Sequence, residues 1–193
     1  MKTPNDSLSS NQPCAAGPTL TRCSLNPRIS PKDVLPSRPD FLVDGGFNCG
    51  ATSFRYETRL LCRVAESVRC DRTRYCSFPV VTRHGAETDF DTVTLEKSKH
   101  PELNFDDART VTDRATGRIA HLTSLSHLRV ARSKDGIHFR LDDHPALMPD
   151  VDTESWGMED PRITRIGDTY YINYTAVSPN PSLIHIPEPP SPD

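Results

Sequence analysis

An all-β fold is predicted for this chain of 193 residues by three observations. Short runs rich in Ile, Val, Thr and Tyr recur between turn residues, Asp-Gly and Gly-Asp pairs sit between such runs, and no long amphipathic helical pattern competes with them. Residues 1–24 carry Pro, Ser, Asn and Gly without periodicity and read as a flexible leader. From Asn26 to Asp40 prolines recur at 27, 31, 36 and 39, which suits an ordered extended loop. Strands are then expected at Leu60 to Ala65, Ser77 to Thr82, Thr92 to Glu96, Ile119 to Leu125, His127 to Arg132, Ile137 to Leu141, Arg162 to Ile166 and Thr169 to Ala176. Asp135-Gly136 predicts a hairpin turn ahead of Ile137-His138-Phe139. Gly167-Asp168 predicts a two-residue hairpin between the last two runs, Gly supplying the positive φ of the first turn position. Residues 179–193 are Pro-rich and lack strand alternation; they are expected to be a non-native tail, and Ser182 to Ile186 resembles translated adapter DNA.

Composition narrows the function classes. The chain has 25% charged and 35% hydrophobic residues, a mean hydropathy of −0.56, and 18 prolines against 9 glycines, as expected of a polar, loop-rich chain with a modest core. A formal charge of −3, with basic residues scattered among acids, gives no electrostatic case for nucleic acid or an anionic membrane. Neither a signal-peptide pattern nor an apolar run long enough to span a membrane is present, so a cytoplasmic protein is expected. The six cysteines, at 14, 23, 49, 62, 70 and 76, form no Cys-x-x-Cys pair and are expected to be reduced thiols rather than disulfides or metal ligands. The seven histidines are dispersed; His121 and His127 flank a strand-like stretch and are expected in the core or at the surface.

The chemistry concentrates in Gly157-Met158-Glu159-Asp160-Pro161-Arg162-Ile163, where two adjacent carboxylates precede a proline at the mouth of the predicted hairpin. Successive strand residues face opposite sides, so Glu159 and Asp160 share one pocket only if a bulge intervenes. Adjacent carboxylates suit general acid-base work, in which a carboxylic acid gives a proton to a departing oxygen. Asp160 or Glu159 could supply it. In a regular strand, however, Arg162 would share a face with Asp160 and lower its pKa, the wrong direction for an acid. From the residues alone a salt-bridged strand end is the competing interpretation.

Gly157, Glu159 to Arg162, and the following Tyr170, Tyr171, Tyr174, Thr175 and Ala176 resemble the pattern of the β-mannoside phosphorylases and related β-mannosidases, glycoside hydrolase family 130. Three further stretches resemble the same family in the same order: Asn26 to Pro31, Phe47 to Ala51 with Leu61 to Glu66, and Ala131 to Phe139. The resemblance runs from about Leu25 to Ser178. It implies inverting enzymes on a five-bladed β-propeller. Five blades need roughly 200–250 residues, so the expectation is an incomplete ring: residues 25–178 as the N-terminal portion, about two blades.

The same resemblance implies that Asp160 is the general acid, its proton reaching the leaving oxygen through a hydroxyl of the bound mannosyl unit. Asn48 and Arg63 resemble residues that hold that unit, with Glu159 and Arg162 as further binding candidates. For Arg63 an ion pair with Glu66 is the alternative. No metal or organic cofactor is implied. The partners implied are a β-mannoside oligosaccharide and, in a phosphorylase, inorganic phosphate as co-substrate; members of the family often form homo-oligomers, and the oligomeric state of this chain is undetermined. Phosphorolysis to α-mannose 1-phosphate is the favoured activity; hydrolysis of β-mannosides and carbohydrate binding without catalysis are the alternatives. Linkage and acceptor are undetermined, and the 193-residue chain is itself expected to be inactive.

Overall fold

The computed structural model describes residues 24–85 and 87–179. The expected leader and tail therefore fall almost entirely outside the described residues. In chain order the strands are β1 (Phe41–Phe54), β2 (Glu57–Val68), β3 (Tyr75–His84), β4 (Glu87–Glu96), β5 (Leu103–Asn104), β6 (Thr110–Asp113), β7 (Ile119–Leu122), β8 (Ser124–Ser133), β9 (Arg140–Leu141), β10 (Gly157–Ile166) and β11 (Thr169–Val177). The helical structure among the described residues is two short 3-10 turns, Pro31–Asp33 and Lys97–Lys99. The all-β expectation holds.

The main sheet runs β1-β2-β8-β10-β11, with β9 paired to β8. Its contacts divide it in two. The strands β1, β2, β8 and β9 form an antiparallel unit, and β10–β11 is a hairpin joined to β8 by one parallel bridge, Gly157 to Ser126. Between β2 and β8 the chain makes a detour through the β3–β4 hairpin and the small sheet β5-β6-β7.

Three expectations are corrected. The strand β1 was not foreseen: Phe-Leu-Val-Asp-Gly-Gly-Phe-Asn-Cys-Gly has no apolar alternation, and most of its side chains stay exposed. Its ladder with β2, broken by register shifts at Val43/Gly45 and Phe47/Gly50, makes it a strand. The run from Ile119 to Leu125 is split at Thr123 between β7 and β8, because Thr123 N–H turns to the carbonyl of Arg109. The Asp135-Gly136 turn is a longer loop, with Arg132 pairing Arg140. The Asp135 carboxylate accepts the backbone N–H groups of Ile137 and His138 and the Ser133 hydroxyl, and so removes two donors a tight ladder would use. By contrast the Gly167-Asp168 hairpin forms as expected, Ile166 pairing Thr169 and Gly167 at φ 59.

Strand alternation gives the β2–β8 pair two different faces. One presents Leu61 and Leu128, which pack with Met158, Val130 and Ile163 beneath the β10–β11 hairpin. The other presents Val68 and Leu125, clustered with Phe41 and Phe90, and a buried polar group of Glu66, His127 and Arg129. Buried polar groups hold only if partnered. Here the partners come from the Pro-rich segment: Ser37 N–H donates to Glu66 (2.7 Å), and Arg129 donates to Leu35 O (2.7 Å) and Ser37 Oγ (2.8 Å). His127 Nε2 lies 3.1 Å from Glu66. The segment expected to be an ordered extended loop is thus fastened to the sheet by side chains.

Candidate active site

The hairpin β10–β11 approaches β1 closely. A Cβ on Gly50 would lie 3.1 Å from Pro161 O and 3.0 Å from Ile163, and the Tyr170 hydroxyl donates to Ser53 O at 2.9 Å. This approach brings the Phe47–Gly50 irregularity of β1 opposite the acidic pair of β10. Both positions are bulged. The β10–β11 register shifts between Glu159 and Arg162, and Asp160 has φ 50; across from it Asn48 has φ 27. Asn and Asp are among the few non-glycine residues that adopt positive φ readily.

The bulge resolves the geometric difficulty of adjacent carboxylates. Instead of pointing to opposite faces, Glu159 and Asp160 both meet Arg63, whose terminal nitrogens bond Glu159 and lie 3.5 Å from Asp160 Oδ1. Asn48 Nδ2 donates to the same Asp160 oxygen at 2.7 Å. The Arg63 Nε–H donates to Ser126 Oγ at 3.0 Å, and its guanidinium lies 5.4 Å from the Phe47 ring centre. Four of the five sequence candidates, Asn48, Arg63, Glu159 and Asp160, therefore converge.

Arg162 does not join them. Because the strand is irregular at Asp160, the Arg162 side chain turns back to Pro161 O (3.0 Å) and is exposed. The Arg63–Glu66 pair does not form either, since Arg63 faces the hairpin while Glu66 faces the Pro-rich segment. Cys62 follows alternation onto the face opposite Arg63 and lines a cavity there with Cys49, Val34, Val64 and Leu141, Cys49 itself being exposed in the bulge. Cys49, Cys62, Cys70 and Cys76 are free thiols; Cys14 and Cys23 lie outside the described residues. His127 is buried against Glu66 and His121 stacks on Phe78 at 4.4 Å, both as packing residues. Two contributors were missed: Phe47, for which an exposed aromatic in a Gly-rich stretch is a faint signal, and Ser126, for which the sequence carries none.

Electrostatically the site favours an ionised Asp160. The Asn48 amide, first, and the Arg63 and Arg162 guanidiniums hold its carboxyl below the usual carboxylate range, against a smaller opposing effect of burial. Asp160 keeps 42% of its side chain exposed, Glu159 28% and Arg63 21%, so the group is open to a ligand from the solvent side. Among the described residues no cluster of three His, Cys, Asp or Glu could hold a metal ion. An open carboxylate bonded by an amide and an arginine can exchange those partners for the hydroxyls of a sugar.

Comparison with known proteins places the chain among mannoside phosphorylases. The sequence model of the family described as β-1,4-mannooligosaccharide phosphorylase matches residues 109–187. A β-1,2-mannobiose phosphorylase of Listeria innocua is 40% identical over 160 residues, which is 82% of this chain and 44% of the relative. A β-1,2-mannobiose phosphorylase from a Thermoanaerobacter species is 47% identical over 51 residues, 26% of this chain and 17% of that protein. Among solved structures, the Listeria innocua enzyme in complex with β-1,2-mannobiose superposes with a TM-score of 0.69 at 39% identity, covering 81% of this chain and 44% of that one. The chain thus spans less than half the length of the Listeria relative, and what it shares with it is part of a propeller-type fold.

Proposed function

Since the chain belongs to glycoside hydrolase family 130, we propose that it is the N-terminal portion, over residues 25–178, of an inverting β-mannoside phosphorylase that releases α-mannose 1-phosphate. The observation that carries this reading is the shared grip of Asn48 and Arg63 on Asp160 across two facing bulges. Asp160 is the general acid, and Asn48, Arg63 and Glu159 bind the mannosyl unit. Arg162, its side chain turned back to Pro161 O, acts on Asp160 by its charge. The β-1,2 linkage is favoured, because the two relatives compared are named for it. The protein works in the cytoplasm without metal or organic cofactor, with phosphate as co-substrate.

A depressed pKa suits the resting site and not the reaction, and substrate binding reconciles the two. A mannosyl hydroxyl that takes the Asn48 amide for itself removes the strongest support of the Asp160 carboxylate. Closing the site over the sugar also desolvates the carboxyl. Both changes raise its pKa toward the range in which it holds a proton. That proton passes to the leaving oxygen through a mannosyl hydroxyl as phosphate attacks the anomeric carbon from the opposite face and the C–O bond breaks. Asp160→Asn in the full reading frame keeps the positive φ and loses the acid. Turnover of β-mannobiose should fall by about 10²–10⁴-fold with sugar binding retained; turnover near wild type would refute the assignment.

A further inference from the structure

We propose that Ser126 is a positioning residue of this site, holding the Arg63 guanidinium and the start of β10 in the one arrangement that lets Arg63 span both carboxylates. The inference rests on the mannoside-active reading above and extends it to a residue outside the acidic motif and the sugar-binding candidates.

Two independent contacts meet at Ser126. Through its side chain, Oγ accepts the Arg63 Nε–H at 3.0 Å. A guanidinium is a planar fork with five donors in fixed directions, so anchoring Nε sets where the two terminal nitrogens point. Those nitrogens reach Glu159 and Asp160. Through its backbone, Ser126 forms the single parallel bridge that ties β8 to Gly157. The approach there is closer than any side chain would allow. A Cβ on Gly157 would stand 2.7 Å from both N and O of Ser126, and Gly157 has φ 113, a conformation in which only glycine is unstrained. Glu159 and Asp160 follow Gly157 by two and three residues.

The serine is buried, 3% exposed, and directly opposite Ala65 on β2, two residues beyond Arg63 on the same face. A small side chain there leaves the guanidinium room, and a hydroxyl supplies an acceptor without adding charge. A carboxylate at this position would compete with Glu159 and Asp160 for the arginine, and an alanine would leave its Nε–H without the acceptor it has here. The Ser126 hydroxyl is engaged by Arg63 and its backbone by Gly157, so it acts through Arg63 and through the strand.

The test is kinetics of Ser126→Ala and Ser126→Thr in the full reading frame, with wild type and Asp160→Asn beside them, against β-1,2-mannobiose and inorganic phosphate. Ser126→Ala should lower kcat/KM on the order of ten- to a hundredfold through misplacement of the charged groups. It should also move the alkaline limb of the pH profile upward, because Arg63 is no longer held against Asp160. Ser126→Thr, which keeps the hydroxyl, should restore both. A Ser126→Ala enzyme with the wild-type pH profile, or one that loses activity only as far as its Tm falls, would overturn the inference. Silence of the wild-type protein toward mannoside and phosphate would instead overturn the mannoside-active reading itself.

Discussion

Asn48 carries the electrostatics of the resting site more than its neutral amide suggests. Its bond to Asp160 Oδ1, at 2.7 Å, is the largest influence holding that carboxyl ionised, ahead of the two arginines. The functional form of a general acid is protonated, so activity is lost as pH rises through its pKa. Asn48→Ala removes a depressing influence, so the pKa of the free enzyme rises and the alkaline limb of kcat/KM shifts to higher pH. With Asn48 in its proposed role on the mannosyl unit, the same change also weakens sugar binding, and KM should rise on the order of tenfold. A pH-rate series on the variant checks both effects; an unmoved limb would mean that Asn48 does not control Asp160.

At the scale of elements, the buried clamp between β2, β8 and the Pro-rich segment makes acid stability a property of one contact set. Burial pushes the His127 pKa down despite the Glu66 bond, and Glu66 is also lowered because His127 and Ser37 together outweigh its own desolvation. The two trends do not rest on one ion pair: His127 is neutral near pH 7, so Ser37 N–H and an imidazole N–H sustain the carboxylate. With both native pKa values depressed, the stabilisation is fully present above the unfolded values of 6.5 and 4.5 and is lost progressively as pH falls below them through the lower native values. His121, lowered by burial, adds the same sign. The Tm should drop by a few degrees between pH 7.5 and pH 5.5, and His127→Gln should flatten that slope; an unchanged slope in the variant would place the effect elsewhere. The same elements show what the sequence could disclose. Strands whose apolar residues alternate, and the Gly167 hairpin, were legible because burial and turn chemistry write themselves into residue type. The β1–β2 hairpin was not. It turns on Arg55 and Tyr56, both at positive φ, where Gly or Asn would have signalled the turn. Nor were the two bulges legible, since they arise from the packing of β10 against β1; the sequence could state only that a bulge was needed for both carboxylates to meet.

On the scale of the whole molecule, the apolar surface is unevenly distributed. Ile166, Tyr171, Ile172 and Tyr174 on β10–β11 are 63%, 50%, 43% and 39% exposed, and a groove beside them is lined by Phe54, Leu60, Leu61, Val130, Ile163 and Tyr170. Surfaces of this kind are covered in propellers by the neighbouring blade. The 193-residue chain on its own should therefore self-associate in sedimentation at micromolar concentration and bind an apolar dye, whereas the full reading frame should do neither. A clean monomer that binds no dye would show that this face tolerates water. The site has the same one-sidedness: Asn48, Arg63, Glu159 and Asp160 present one wall.

The central claim, that these four residues belong to a β-mannoside phosphorylase, is tested most directly by incubating the full reading frame with β-1,2-mannobiose, with and without inorganic phosphate, and following mannose 1-phosphate and free mannose separately. The account expects mannose 1-phosphate that requires phosphate and disappears in Asp160→Asn. Free mannose released at the same rate without phosphate, or turnover indifferent to Asp160, would contradict it.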